Sequence, residues 1–227
     1  MLKGDNLKPA GINKICMAAA MAALFCANTL QAGEKVWHFD DMQTQKLPAG
    51  WKADVTNGKK GSAVWQVVLD KSAPSPRHVL ALTDINHHSG AAFNLCRMDG
   101  IAFLDGEIEV KFRANRGRID QGGGIIWRVQ DNKNYYIARF NPLEDNFRLY
   151  FVKNGHRRVL ASADVRLHAG EWHTMKIVQK GDRYAGYLDG KKYLKGRDGT
   201  FAQHGGVGLW TKADAATSFD DFLVKVQ

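Results

Sequence analysis

The chain has 227 residues, 44% of them hydrophobic and 24% charged, which excludes wholesale disorder and is enough for one domain with a real core. Its formal net charge is +9, yet the basic residues are scattered and never run to five in a row, which argues against a nucleic-acid-binding arm.

Residues 1–32 read as an export signal. Lys3, Lys8 and Lys14 form a basic start, ICMAAAMAALFCA an apolar centre, and NTLQA a polar end closing on Ala32, with Ala27 as the alternative cut. The apolar run is too short to span a bilayer, and nothing later in the chain has the length and apolarity to do so. Cleavage after Ala32 predicts a mature domain over residues 33–227, periplasmic or secreted, whose charge falls to +7 with the loss of three lysines and Asp5. Cys16 and Cys26 leave with the signal. Cys96, in GAAFNLC, then has no partner and reads as a small buried hydrophobe.

Past the signal there is no convincing amphipathic helix, whereas short alternating segments recur between turn signals. GEIEVKF (106–112) sets Ile108, Val110 and Phe112 against Glu107, Glu109 and Lys111. IIWRVQ (125–130) sets Ile125, Trp127 and Val129 against Ile126, Arg128 and Gln130. YYIARFN (135–141) sets Tyr136, Ala138 and Phe140 against Tyr135, Ile137, Arg139 and Asn141, and FRLYFV (147–152) sets Phe147, Leu149 and Phe151 against Arg148, Tyr150 and Val152. Asn154-Gly155 and Asp189-Gly190 tolerate the positive φ of two-residue hairpin turns. Residues 168–194 then form a three-strand meander, and GGVGLWT and SFDDFLVKV supply the last two strands. The expectation is an all-β, antiparallel two-sheet jelly-roll sandwich in a single, monomeric domain.

The runs GGGIIWRVQDNKNYYIARFNPLEDNFRLYFVKNGHRRVLASADV, GEWHTMKIVQKGDRYAGYLDGKKY and GGVGLWTKADAATSFDDFLV resemble the concanavalin A-like lectin/glucanase superfamily. Within it the sequence is most similar to secreted bacterial domains of the 3-keto-disaccharide hydrolase type, related to laminarinase-like and laminin-G-like sandwiches. The resemblance covers roughly residues 100–226, more loosely from Trp37. It implies two curved sheets, the concave one contacting carbohydrate, and for the related hydrolases an elimination on an oxidised sugar. Fold alone does not carry activity over.

If the strands bearing Arg128, Arg139 and Arg148 are neighbours, three guanidinium groups, Tyr135 and Tyr150 converge on one sheet surface, with Asn141 and Glu144 beside them. Arginine offers a planar fork of donors for hydroxyl pairs and carboxylates, and tyrosine a stiff plate with a polar tip. Two readings fit: a sugar-binding face, or an exposed face laced with ion pairs to Glu107, Glu109, Glu144 and Asp145, as in a structural or adhesive cell-envelope module without catalysis. Trp210, with Lys212 and Asp214 near a strand end, is either a stacking platform for a sugar or a packing residue. The positive charge favours an acidic glycan or cell-surface polymer as partner.

Glu107 and Glu109 project from one strand face about 7 Å apart, a spacing usable for general acid and base in glycoside hydrolysis. Laminarinase-like enzymes carry E-x-D-x-x-E, but Phe112 stands where the last carboxylate belongs. A solvated, salt-bridged pair is the alternative. His87, His88, His156 and His173 lack metal-ligand spacing, so no zinc centre is expected. Asp40-Asp41 and Asp220-Asp221 lie near the ends of a fold whose first and last strands usually adjoin, and together would make an oxygen site for a structural calcium; no other cofactor is required.

Overall fold

The structure, a computed structural model, describes Met1 and residues 33–59, 61, 63–85 and 90–227. The expected export signal, apart from Met1, and the His87-His88 pair lie outside the described residues. No helix occurs among them, and none is long and apolar enough to cross a membrane.

Fifteen strands follow in chain order. They are β1 (Gly33–Trp37), β2 (Trp51–Thr56), β3 (Ala63–Leu69), β4 (His78–Ile85) and β5 (Phe93–Phe103); β6 (Gly106–Arg116), β7 (Gly123–Asp131), β8 (Asn134–Asn141), β9 (Asn146–Lys153) and β10 (His156–Asp164); and β11 (Trp172–Lys180), β12 (Arg183–Leu188), β13 (Lys191–Arg197), β14 (Gly205–Lys212) and β15 (Ala216–Val226). One sheet runs β13-β12-β11-β6-β15-β4-β3, with β1 also on β15, and the second runs β10-β9-β8-β7-β14-β5-β2. Every pairing is antiparallel, as expected for the jelly roll.

Alternation builds the core. Ile108, Val110 and Phe112 of β6 are fully buried, as are Met175 and Ile177 of β11, and they meet Ile125, Trp127, Tyr136, Ala138 and Phe140 of the facing sheet. Burying each large side chain contributes about 1.5–3 kcal/mol. The indole nitrogen of Trp127 donates to Oε1 of Gln179 at 2.9 Å, satisfying a polar pair where the sheets meet. Cys96 is free and buried in this core, as its apolar setting predicts.

The expected hairpins form. Asn154 and Gly155 have φ of 51° and 78°, and Asp189 and Gly190 have 46° and 76°, the left-handed pairs a two-residue turn requires. The Asn154-Gly155 turn brings Arg157 opposite Val152, and the β8–β9 pairing brings Tyr135 opposite the same Val152, on one side of the second sheet.

Candidate functional site

The outward side of the second sheet is not a flat solvated surface. Strands β8 and β9 are buried on both sides, with Tyr135, Ile137, Arg139, Tyr150 and Val152 all at 1% exposure or less. The cause is curvature. Neighbouring strands sit about 4.8 Å apart, so the five steps from β10 to β5 span about 24 Å in a flat sheet; yet the Arg157 guanidinium lies 5.3 Å from the Phe93 ring centre. Likewise the Thr56 hydroxyl on β2 is 2.8 Å from that of Tyr135 on β8, four strands away. The sheet bends over on itself, and its concave side closes on a second apolar cluster of Phe93, Leu95, Ile126, Ile137, Tyr150 and Trp210.

At one end of this hollow the charges gather. Arg139 donates from Nη1 to Asn146 at 2.7 Å and from Nη2 to Glu144 at 2.7 Å and to the Tyr150 hydroxyl at 3.1 Å. Arg148 reaches the same Glu144 oxygen at 3.3 Å. Asn141 and Lys212 both donate to Asp120, at 2.8 and 2.7 Å. Asp214 holds the loop carrying Asp120 by accepting the backbone amides of residues 118, 119 and 120. The floor is buried, while Glu144 and Arg148 stand at an open rim with side chains 41% and 35% exposed.

Electrostatics follow from this packing. Burial alone would raise the Glu144 carboxyl, but hydrogen bonds from Arg139 and Asn146 and the fields of Arg139 and Arg148 pull it down to about 2. Burial pushes the Tyr135 phenol well above its ordinary range. Arg157 is depressed by burial, partly offset by Tyr150 and reinforced by Arg139.

Five buried side-chain donors lack acceptors among the described residues: Trp51 Nε1 and Trp65 Nε1 in the main core, and three in the hollow. Arg139 Nε and Arg157 Nη1 are buried with no hydrogen-bond partner. Trp210 Nε1 is also without one in hydrogen-bond geometry, although it lies close enough to the Tyr135 phenol to favour its charged form. Elsewhere in the protein, arginines on both sheets are satisfied: Arg97 by Asp54 and Asp99, and Arg113 by Asp70, Ser72 and Asn115.

The sequence expectations divide accordingly. Tyr135, Arg139, Asn141, Glu144, Arg148, Tyr150, Trp210 and Lys212 do share one side of one sheet. Arg128 does not join them, which corrects the expected trio of guanidiniums. The register with β8 shifts between Trp127 and Asp131, and Arg128 has φ of 47°. Its side chain turns to the end of the sandwich and donates to Leu104 O, Phe201 O, Gly181 O and Asp105. Glu107 and Glu109 lie on β6 in the other sheet, facing outward beside Lys176 and Lys225, so the whole core separates them from the arginines. Arg139 and Arg148 therefore cannot assist that carboxylate pair, and Arg113, on the same side of β6, is held by Asp70, Ser72 and Asn115.

The first and last strands do adjoin, with Gly33 opposite Val226 and Trp37 opposite Phe222. Three of the four aspartates near them, Asp40, Asp220 and Asp221, are already engaged. Asp220 accepts from Ser75 N and Oγ and the Asp221 amide, Asp221 pairs with Lys111 and His38 at 2.6 Å each, and Asp40 accepts from the His78 amide. Among the described residues no group of three or more His, Cys, Asp or Glu is placed to hold a metal ion.

Arg157, Asp120, Asn146 and Phe93 escaped the sequence reading. The Asn154-Gly155 turn was signal enough for Arg157, since hairpin register alone puts it on the Tyr150 side.

The sequence matches the 3-keto-alpha-glucoside-1,2-lyase-like domain family over residues 38–225. The chain belongs to this family. No curated protein matches it. Among solved structures it is similar to the carbohydrate binding module CBM66 from Bacillus subtilis, with 22% identity, 78% of this chain and 96% of that one covered, and a TM-score of 0.58. It is similar also to a beta-glucanase of Bacillus licheniformis, with 13% identity, 86% and 98% covered, and a TM-score of 0.57. At such identities the likeness is one of fold, a jelly roll of the concanavalin A-like type used by carbohydrate-binding and glycosidase domains.

Proposed function

We propose that this is an exported domain that engages carbohydrate in the hollow of the second sheet, and that its ligand is a 3-keto-glucoside. The observation that carries this reading is the buried Arg139 Nε, a charged donor with no acceptor beside the Tyr150 hydroxyl. Such a group is costly to leave empty and gains most from a ligand oxygen.

The family's chemistry gives the arrangement a purpose. A carbonyl at C3 acidifies the C2–H bond; a base removes that proton, the electron pair moves into the enolate, and its return expels the C1 oxygen and leaves a C1=C2 double bond. The departing oxygen regains a proton. Arg139 and Tyr150 supply positive charge and a hydroxyl where the C3 oxygen becomes anionic. Glu144 is not the base, because a carboxyl held at about 2 is a poor proton acceptor.

The test is a binding and turnover screen with neutral glucans and 3-keto-α-glucosides, using the parent protein and Arg139→Gln. The 3-keto sugar is expected to bind, with the variant at least about tenfold weaker, the scale of one charge-assisted hydrogen bond. Binding of no saccharide, or undiminished binding by the variant, would overturn the proposal.

A further inference from the structure

We infer that Arg157 anchors a subsite for a saccharide bearing an anionic oxygen substituent, a carboxylate or a sulfate ester, in the hollow assigned above to sugar. The inference rests on that assignment and adds the class of sugar. Its first ground is that Arg157 lacks an acceptor at Nη1 and that no ion pair of Arg157 occurs among the described residues; aromatic faces are its contact partners, while Asp120 and Glu144 act on it only through their fields. The guanidinium carbon lies 4.3 Å from the Tyr150 ring centre and 5.3 Å from that of Phe93. Stacking of this kind stabilises a cation through its flat faces and leaves the N–H edges free, so the group stays charged without a counter-ion in place.

The second ground is the local balance of charge. Around Tyr150 stand four cations, Arg139, Arg148, Arg157 and Lys212, against two carboxylates, Glu144 and Asp120, and each carboxylate is already committed to one or two of the others. Arg157 is the remaining cation. At the opposite edge of the same sheet side the charges cancel, Lys52 and Arg97 being matched by Asp54 and Asp99. The excess is therefore confined to one end of the hollow. A neutral hydroxyl would satisfy an N–H there without neutralising the surplus; an anionic oxygen does both, and a forked carboxylate or sulfate suits the planar guanidinium.

Access is compatible with this role. Arg157 is on the edge strand β10 and only half-buried, so part of its side chain faces solvent.

The experiment is calorimetric titration of the full protein with methyl α-glucoside, methyl α-glucuronide and glucose 6-sulfate. At least one anionic sugar is expected to bind about tenfold or more tightly than the neutral one, and the two anionic arms tell carboxylate from sulfate. Arg157→Gln, with native folding checked by near-ultraviolet circular dichroism, should bring the anionic sugar down to the neutral sugar's affinity, while Arg157→Lys keeps part of the difference. Equal affinity for neutral and anionic sugars in the parent protein would overturn the subsite and leave the carbohydrate reading standing, a comparison that needs no variant to fold. A folded Arg157→Gln protein that keeps the preference would also overturn it. Binding of none of the three sugars, nor of a 3-keto-glucoside, would remove both.

Discussion

Arg139 and Tyr150 meet across the β8–β9 pair. The guanidinium donates to the phenolic oxygen at 3.1 Å and lies 5.8 Å from the ring centre, while its Nε remains empty. The pair is buried by the curl of its own sheet, with the half-exposed Glu144 and Arg148 beside it. Most buried donors in a folded protein are matched, so an unmatched charged one in the buried floor of the hollow points to a missing partner.

Arg128 should behave as a structural residue. Its four hydrogen bonds tie β7 to the β5–β6 and β11–β12 turns and to Phe201, three of them to backbone carbonyls that no other arginine reaches. Arg128→Gln is expected to cost about 3 kcal/mol or more by chemical denaturation, the scale for breaking a buried charged network, with saccharide affinity retained in the folded protein. Loss of affinity at full stability would place Arg128 in the site after all.

Glu144 sets an acid limb. Its folded carboxyl lies near 2, below the ordinary 4.5, so its contribution to stability is full above the ordinary value and is lost as pH falls from about 4.5 through about 2. Glu144→Gln should flatten the part of the stability profile that falls in that window. A variant whose acid limb superimposes on the parent's would contradict the assigned ion pairs.

Glu107 and Glu109 face solvent on the opposite sheet. Glu107→Gln and Glu109→Gln are each expected to change stability by no more than about 0.5 kcal/mol and to leave ligand affinity and turnover intact. Lost turnover in either variant would move the chemistry to the outer side of β6.

Much of this was legible in the residues. Period-two alternation identified the strands from β6 to β9, and two Gly-containing turns pinned the β9–β10 and β12–β13 hairpins, because side-chain alternation and turn chemistry are local properties. The shared side of Tyr135, Arg139, Arg148 and Tyr150 followed from the same rule. Alternation is silent on which of two sheets a strand joins, and that is why Glu107 and Glu109 were drawn toward arginines they never meet. It also fails at a bulge: the irregular stretch from Trp127 to Asp131 turned Arg128 away from its neighbours. The burial of Tyr135 and the contact of Arg157 with Phe93 come from the bending of a whole sheet, to which strands distant in sequence contribute.

Calcium should not matter to stability. Ser75, His38 and Lys111 occupy the oxygens of Asp220 and Asp221 that an ion would need. Thermal unfolding is expected to have the same midpoint in millimolar calcium and in a chelator, and a clear rise with calcium would contradict that account.

The central claim concerns where the sugar sits, and diffraction from crystals soaked with a 3-keto-α-glucoside addresses it most directly. The account predicts density in the hollow of the second sheet, with a sugar oxygen at hydrogen-bond distance from Arg139 Nε. A sugar bound instead on the outer side of β6, or at the Arg128 end of the sandwich, would contradict it.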